Sequence, residues 1–158
     1  MITNLPIEIN QIIMDMLDFR SQINFKYTFR NHLYITNFNV PLILSSIITE
    51  EILKNHPRIE HLNLYDNKLV SDISFLTHIT SLNISGSCII GQEQITHLVN
   101  LRELDVSNNV KVKTLVCFKK LKELIMDGIC NISKEECQKL TQLTKLQCKY
   151  NPLFDNLN

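Results

Sequence analysis

One apolar pattern recurs five times from residue 59 onward, and no other feature restricts the possible folds as strongly. Each copy has apolar anchors with the spacing L-x-x-L-x-L, in which Ile, Val, Met or Cys replaces some of the leucines. The second anchors are Leu62, Leu82, Leu104, Leu124 and Leu146. A shorter step, as from Leu62 to Leu82, alternates with a slightly longer one, as from Leu82 to Leu104. One structural unit is therefore repeated in nearly constant register.

The local pattern of each copy predicts a short strand that ends in a bend. Apolar and polar residues alternate around the second and third anchors, which indicates a strand with one buried face. Asn67, Asn109 and Asn151 follow the third anchor, where an Asn side chain can hydrogen-bond to exposed backbone groups. Ser87 and Ile129 hold this place in the other two copies. The side-chain hydrogen bonds to the backbone are therefore expected to be weaker, or to come from other groups, in those two copies.

The segment between successive strands has an apolar residue at about every third position. This spacing predicts a compact 3₁₀-like or extended return segment. The two longer copies carry polar insertions at 91–94 and 133–136, which we expect on a solvated convex surface. Ser133 followed by Glu136 matches a capping box and predicts a helical turn there.

These copies resemble the leucine-rich repeat, whose signature is L-x-x-L-x-L-x-x-N/C-x-L at a period of about 20–29 residues. The resemblance covers 59–158. It implies an α/β fold, a short right-handed solenoid with parallel strands on its concave face. A single coil cannot bury its own apolar side, so stacking of successive coils supplies the core.

Residues 30–58 indicate an additional unit before the first clear repeat. The pattern Leu33-x-Ile35-x-x-Phe38 is typical of the repeat strand, and the distance from Leu33 to Leu62 is within the range of the repeat period. Apolar residues at helical spacing predict a helix over Leu42–Lys54. We expect residues 39–58 to link the N-terminal segment to the solenoid and to cover its first edge.

Residues 1–38 have the pattern of an amphipathic helical unit, because apolar residues recur at steps of three to four. The segment resembles the F-box, a helical module that begins L-P-x-E-I. In that family the matching apolar residues bind a Skp-type adaptor, which docks onto a cullin ubiquitin ligase. By this resemblance the adaptor-binding residues are Leu5, Pro6, Ile9, Ile13 and Leu17. The alternative is that these helices only cap the solenoid.

The composition argues against several functional classes. Sixteen Lys and Arg residues balance sixteen Asp and Glu residues. We therefore expect no broad electrostatic binding of nucleic acid or of an anionic membrane. Three glycines are too few for a Gly-rich phosphate loop. The five cysteines include no C-x-x-C pair, and no two histidines have metal-site spacing. We therefore expect no metal, no cofactor and no catalytic residues.

The N-terminus lacks the basic start and the unbroken apolar core of a secretory signal, since Glu8 interrupts its apolar residues. Free cysteines in odd number are typical of a reducing compartment. We therefore expect an intracellular, cytoplasmic protein.

Outward strand positions form columns if the strands stack, and these columns predict a target-binding surface. Acidic residues lie in the middle of the face, and tyrosines lie towards its two ends. The predicted surface consists of Tyr65, Glu103, Asp105, Glu123, Asp127, Lys149 and Tyr150. Aromatic anchors beside polar groups are common in protein interfaces, and an acidic centre favours a partner with a basic segment. The alternative is a solvated sheet surface with no partner.

Taken together, the patterns predict a non-catalytic interaction adaptor. Its F-box-like unit would recruit a Skp-cullin ubiquitin ligase, and its repeats would select the target protein. The alternative is a plain leucine-rich-repeat binding or regulatory protein.

Overall fold

Six short strands form one parallel sheet in the order of the chain. The structure is a computed structural model that describes residues 37–38 and 48–154, and within this part each strand pairs with the next. The strands are β1 (Asn37–Phe38), β2 (His61–Asn63), β3 (Ser81–Asn83), β4 (Glu103–Asp105), β5 (Glu123–Ile125) and β6 (Lys145–Gln147). Each strand begins one coil of the chain, and the coils are numbered after their strands.

The second anchors of the repeat form a single row across the sheet. They pair in register from β2 to β6, in the order Leu62, Leu82, Leu104, Leu124 and Leu146. This arrangement confirms the predicted α/β stack of coils with parallel strands. The row continues to β1, where Phe38 pairs with Leu62.

The register of β1 differs from the prediction, which placed Leu33 opposite Leu62. Phe38 holds that place, so the step from the first coil to the second is shorter than predicted. Leu33 and Phe38 belong to the same apolar series, and only the sheet pairing decides which residue joins the row. The observed step is closer to the later ones, such as that from Leu82 to Leu104.

The return side of each coil is held by bonds between residues three positions apart. The Leu76 N–H donates to the Ile73 carbonyl (3.0 Å), and the Ile79 N–H donates to the Leu76 carbonyl (3.2 Å). Coil 4 repeats this pattern at Phe118, whose N–H donates to the Leu115 carbonyl (3.0 Å). This is the 3₁₀ pattern, so the compact return predicted from every-third-residue spacing is confirmed. All five side chains are fully buried in the core.

Three short helices lie on the return side of the described residues, and the first is α1 (Glu50–Lys54). The helix predicted over Leu42–Lys54 is confirmed from Glu50 onward, but it is not continuous through Thr49, which is extended and caps α1. The Thr49 hydroxyl accepts from the Ile52 N–H (3.4 Å). Apolar spacing alone did not reveal that a helix would begin directly after Thr49. Residues 39–47 lie outside the described residues.

The other helices are α2 (Gln92–Ile95) and α3 (Lys134–Gln138). The predicted helical turn after Ser133 is confirmed, since the Ser133 hydroxyl accepts from the Glu136 N–H (3.4 Å). The Glu136 carboxylate does not complete the predicted box. It accepts instead from the Leu115 N–H (3.0 Å) in coil 4.

Helix side chains tie neighbouring coils together in each of the three cases. The Gln92 amide oxygen accepts from the Lys113 N–H (3.0 Å) and the Thr114 N–H (2.9 Å). The Glu50 carboxylate accepts from the hydroxyl of Ser71 (2.7 Å). The polar insertions at 91–94 and 133–136 were expected on a solvated convex surface, but Gln92 and Glu136 within them each bond to coil 4.

Coils 2, 4 and 6, here called the Asn coils, are fastened by the predicted asparagine. The Asn109 amide donates to the carbonyls of Ile84 (2.9 Å) and Ile90 (3.1 Å), and its oxygen accepts from the Lys111 N–H (3.0 Å). Asn67 and Asn151 make corresponding bonds in their coils. All three asparagines are buried, so each satisfies backbone groups that water does not reach.

Coils 3 and 5, here called the Cys coils, use cysteine one residue later. The Cys130 thiol donates to the Val106 carbonyl (3.2 Å), which occupies the same place in its coil as the Ile84 carbonyl that Asn109 binds. Cys88 is the corresponding residue of coil 3 and is also buried. The extra residue in each turn explains why Ser87 and Ile129 fall at the Asn position.

The Cys coils turn through glycine. Gly86 and Gly128 have φ of 74° and 69°, a left-handed conformation that costs glycine little. A Cβ on Gly128 would also collide with the Asn108 side chain, whose oxygen accepts from the Ile129 N–H (3.1 Å). The backbone at Ile129 is therefore satisfied by a side chain of the preceding coil, as the prediction of a different bonding pattern there allowed.

The predicted adaptor-binding residues Leu5, Pro6, Ile9, Ile13 and Leu17 lie outside the described residues, as does most of the predicted unit over 1–38. Within residues 48–154, no helix has the length and apolar character needed to cross a membrane.

Candidate functional site

The outward side chains of β2 to β6 form two columns, and we call this surface the strand face. The parallel register places each residue beside its counterpart in the next coil. The first column is His61, Ser81, Glu103, Glu123 and Lys145, and the second is Asn63, Asn83, Asp105, Ile125 and Gln147. A depression of about 290 Å³ lies on this face, and its lining residues all come from β2 to β5.

Three side chains of the second column also bond to the backbone just beyond their own strands. The side-chain oxygens of Asn63, Asn83 and Asp105 each accept from the backbone N–H two residues later, at 2.9–3.0 Å. Such bonds are typical of turns that follow Asn or Asp. Ile125 holds this place in β5 and has no oxygen to offer. One oxygen of each of these three polar residues is thus committed to the backbone.

Two carboxylates stand side by side in the first column. Glu103 pairs with Glu123 across β4 and β5, at the roughly 4.8 Å spacing of neighbouring strands. Each one bonds away from the other. The Ser81 hydroxyl donates to Glu103 (2.8 Å), and the Lys145 ammonium donates to Glu123 (2.8 Å). The Glu123 carboxylate in turn raises the pKa of Lys145.

Asp127 is bonded to coil 6. Its carboxylate accepts from the side-chain amide of Gln147 (2.6 Å) and from the Lys149 N–H (2.7 Å). Two of its lone pairs are therefore already engaged. Asp127 lies beyond the strand end and does not line the depression.

The two tyrosines of the predicted surface lie far apart in the stack, in coils 2 and 6. Tyr65 is 36% exposed, and its hydroxyl bonds to Asp66, which raises the pKa of the Tyr65 phenol. Tyr150 is 86% exposed and has a left-handed φ of 55°. Neither tyrosine lines the depression.

The structure thus brings together Glu103, Asp105 and Glu123 of the predicted surface, and it places Tyr65, Asp127, Lys149 and Tyr150 around them. Residues that the predicted surface omitted also line the depression. They are His61, Asn63, Ser81, Asn83 and Ile125. Their column positions in the repeat were the available signal, because every outward strand residue must share this face.

No group of three His, Cys, Asp or Glu side chains within residues 48–154 is arranged to hold a metal ion. Burial raises the pKa values of the Cys88, Cys130 and Cys137 thiols, so the nucleophilic thiolate is disfavoured at these three positions.

Comparisons with known proteins agree with this architecture. Internalin C2 of Listeria monocytogenes matches 70% of the chain with 22% identity and a TM-score of 0.54. A second internalin of that species, InlF, matches 66% of the chain with 25% identity and a TM-score of 0.50. The chain spans 53% of the first structure and 33% of the second. No protein-family model and no curated protein sequence matches the chain. The chain has the leucine-rich-repeat fold of these internalins.

Proposed function

We propose that the chain is a non-catalytic interaction protein whose strand face binds a basic segment of a partner protein. The observation that carries this proposal is the depression of about 290 Å³ across β2 to β5, which has acidic side chains at its centre. A repeat fold with aligned outward columns offers adjoining strands as one continuous binding surface.

The charges within the depression favour a basic partner. Among the salt bridges that residues 48–154 form, none includes Glu103 or Asp105, whereas Glu123 pairs with Lys145 on its far side. A lysine or arginine of a partner that lies between Glu103 and Glu123 would relieve the repulsion between two like charges on adjacent strands.

The test uses the full chain and a short synthetic peptide with alternating lysine and serine, labelled with fluorescein. We expect Glu103→Lys/Glu123→Lys to weaken binding roughly tenfold or more, since each close charge contact contributes to affinity. The matched control is Glu51→Lys/Glu93→Lys, which changes the net charge equally on the return side. Fluorescence anisotropy gives both affinities.

Two results would contradict this proposal. One is equal weakening by the two double variants, because that would reflect net charge and not the strand face. The other is unchanged binding by Glu103→Lys/Glu123→Lys when circular dichroism shows that this variant is folded.

The finer proposal is that the chain acts as an F-box-type substrate receptor. It rests on the sequence resemblance, in which Leu5, Pro6, Ile9, Ile13 and Leu17 contact a Skp-type adaptor. The strand face would then hold the target while the adaptor links it to a cullin ubiquitin ligase. Ubiquitin transfer would be performed by the partners and not by this chain.

Co-purification of the full chain with a purified Skp-type adaptor tests this role. We expect stable capture by the wild type and loss of capture in Leu5→Asp. Leu69→Asp is the control, because Leu69 is 56% exposed in coil 2. Failure of the wild type to capture the adaptor, together with retained peptide binding, would leave the plain leucine-rich-repeat binding protein as the function.

A further inference from the structure

A second charged surface lies at the edge of the sheet where the strands begin. We call it the basic rim and define it by Arg102, Lys119, Lys120 and Lys122, all of which are exposed. These cations come from coils 3 and 4, immediately before β4 and β5. The proposed function above does not involve them.

Backbone bonds hold the rim in register. The Lys122 N–H donates to the Arg102 carbonyl (2.8 Å), and the Arg102 N–H donates to the Thr80 carbonyl (2.7 Å). The neighbouring turns are also tied, because the Lys120 ammonium donates to the Asn100 side-chain oxygen (2.7 Å). The repeat itself thus places Arg102 and Lys122 side by side, with their backbones at about the 4.8 Å spacing of neighbouring strands.

No rim cation forms a salt bridge within residues 48–154. The three salt bridges formed there involve Lys54, Lys139 and Lys145. Since the whole chain has a net charge of zero, the rim reflects segregation of charge across the molecule. In the matching column the other coils have Glu60, Thr80 and Thr144.

An exposed apolar side chain accompanies these cations. Val99 is 51% exposed and lies in the turn just before Asn100, beside the turn that carries Lys119 and Lys120. The surface therefore offers one apolar contact among several positive charges, a combination that suits a polypeptide more than a simple anion.

We infer that the basic rim is a second protein-binding surface, and that its partner is an acidic segment in an extended conformation. Alternate side chains of an extended segment lie on one side at intervals of about 7 Å. The long, flexible Arg and Lys side chains of neighbouring coils can reach glutamates or aspartates at this interval, and an apolar residue can reach Val99.

A nucleic acid fits this surface less well. Glu103 and Glu123 follow Arg102 and Lys122 directly in the chain, and both belong to the adjoining strand face. A continuous phosphate backbone would meet these carboxylates soon after it left the rim. A short acidic segment along the rim avoids them, so charge complementarity favours the protein partner.

The probe for this test is a short synthetic peptide with glutamate at alternate positions and one central leucine, labelled with fluorescein. We expect the folded full chain to bind it at low salt and to lose affinity as salt rises. Lys119→Glu/Lys122→Glu should weaken binding roughly tenfold. Lys68→Glu/Lys113→Glu is the matched control on other surfaces and should weaken binding less than about twofold.

Further variants and probes in the same binding experiment decide what the rim recognises. Glu103→Lys/Glu123→Lys should retain or strengthen binding of the acidic peptide, which separates this surface from the one proposed above. Equal weakening by the rim pair and its control would overturn the inference, as would the absence of wild-type binding. Tighter binding of a short DNA duplex or an anionic lipid vesicle than of the peptide would also overturn it.

Discussion

The Asn coils and the Cys coils solve the same problem with different chemistry. Each must bring its chain out of a strand and satisfy a buried carbonyl of the preceding coil. Asn109 donates two hydrogen bonds to buried carbonyls and accepts one, whereas the Cys130 thiol has one weakly donating proton, which the Val106 carbonyl accepts at 3.2 Å. All five turns have a left-handed residue at the same place, which is glycine in the Cys coils and Asp66, Asn108 or Tyr150 in the Asn coils. In the Cys coils the turn also receives a bond from the preceding coil, because the Asp66 and Asn108 side chains accept from the N–H groups of Ser87 and Ile129. A repeat can therefore keep its register while its fastening group changes.

The largest difference between the two classes should appear when the fastening group is removed. We expect Asn109→Ala to lower the free energy of unfolding by about 2–4 kcal/mol, since each buried carbonyl left unpaired costs about 1–3 kcal/mol. Urea unfolding followed by circular dichroism measures this loss. Asn131→Ala is the control, because Asn131 is exposed and makes one bond to a carbonyl. Equal losses in the two variants would show that burial does not give Asn109 its importance.

The turn of the Cys coils can be tested at Gly128. We expect Gly128→Ala to destabilise the protein by about 1–3 kcal/mol, because φ is positive and the new Cβ would collide with Asn108. Repeating the substitution in an Asn108→Gly background removes the collision and leaves only the strain. A smaller loss in that background, measured by urea unfolding, is expected. An unchanged loss would assign the whole effect to the backbone.

The thiol of the Cys coils should matter less than the asparagine. We expect Cys130→Ala to cost about 1–2 kcal/mol, from a small cavity and one lost weak bond. Iodoacetamide labelling with mass spectrometry gives a second readout, because Cys88 and Cys130 are buried and should react only on unfolding. Rapid labelling of Cys130 in the folded protein would contradict its role as an internal fastener.

The smallest expected effect is on how the free energy of unfolding depends on acid pH. It distinguishes α3 of coil 5 from α2 of coil 3. Bonds from Lys139, Thr114 and Leu115 lower the pKa of Glu136 from 4.5 to about 2. Because the folded pKa is depressed, this carboxylate stabilises the protein above pH 4.5, and the contribution is lost as pH falls towards about 2. The helix of coil 3 also bonds to coil 4, but through the uncharged Gln92.

Two substitutions test this difference. Glu136→Gln should flatten the acid dependence of the free energy of unfolding below pH 4.5, and Gln92→Glu should steepen it by adding a titrating group in coil 3. Urea unfolding over a series of acidic pH values gives both slopes. If Glu136→Gln leaves the slope unchanged, the link between coils 4 and 5 does not depend on the charge of Glu136.

The period of the repeat predicts the fold well, because an apolar residue that recurs in register has only the stacked core to enter. The row of second anchors and the 3₁₀ return segments follow from this reasoning. Features that depend on one polar side chain do not follow from it. The Thr49 cap interrupts an apolar series that continues through it, and the choice between Leu33 and Phe38 depends on sheet pairing.

The candidate site was predictable in its position and less so in its internal bonds. Register alone brings Glu103 and Glu123 together. The sequence did not reveal that Lys145 would pair with Glu123 or that Gln147 would bond to Asp127. Several neighbours of suitable chemistry are available to each carboxylate, and side-chain geometry in the folded state selects among them.

The alternation of turns has a consequence for how such a chain can change in length. The Asn108 side chain supports the Ile129 turn of the following Cys coil, and Asp127 of that coil supports Lys149 in the next Asn coil. Each kind of turn is thus adapted to the other kind as its neighbour. Gene duplications or deletions should be tolerated when they span a pair of successive coils, as from Leu62 to Leu104 or from Leu104 to Leu146. Loss of a single coil would place two turns of the same kind side by side.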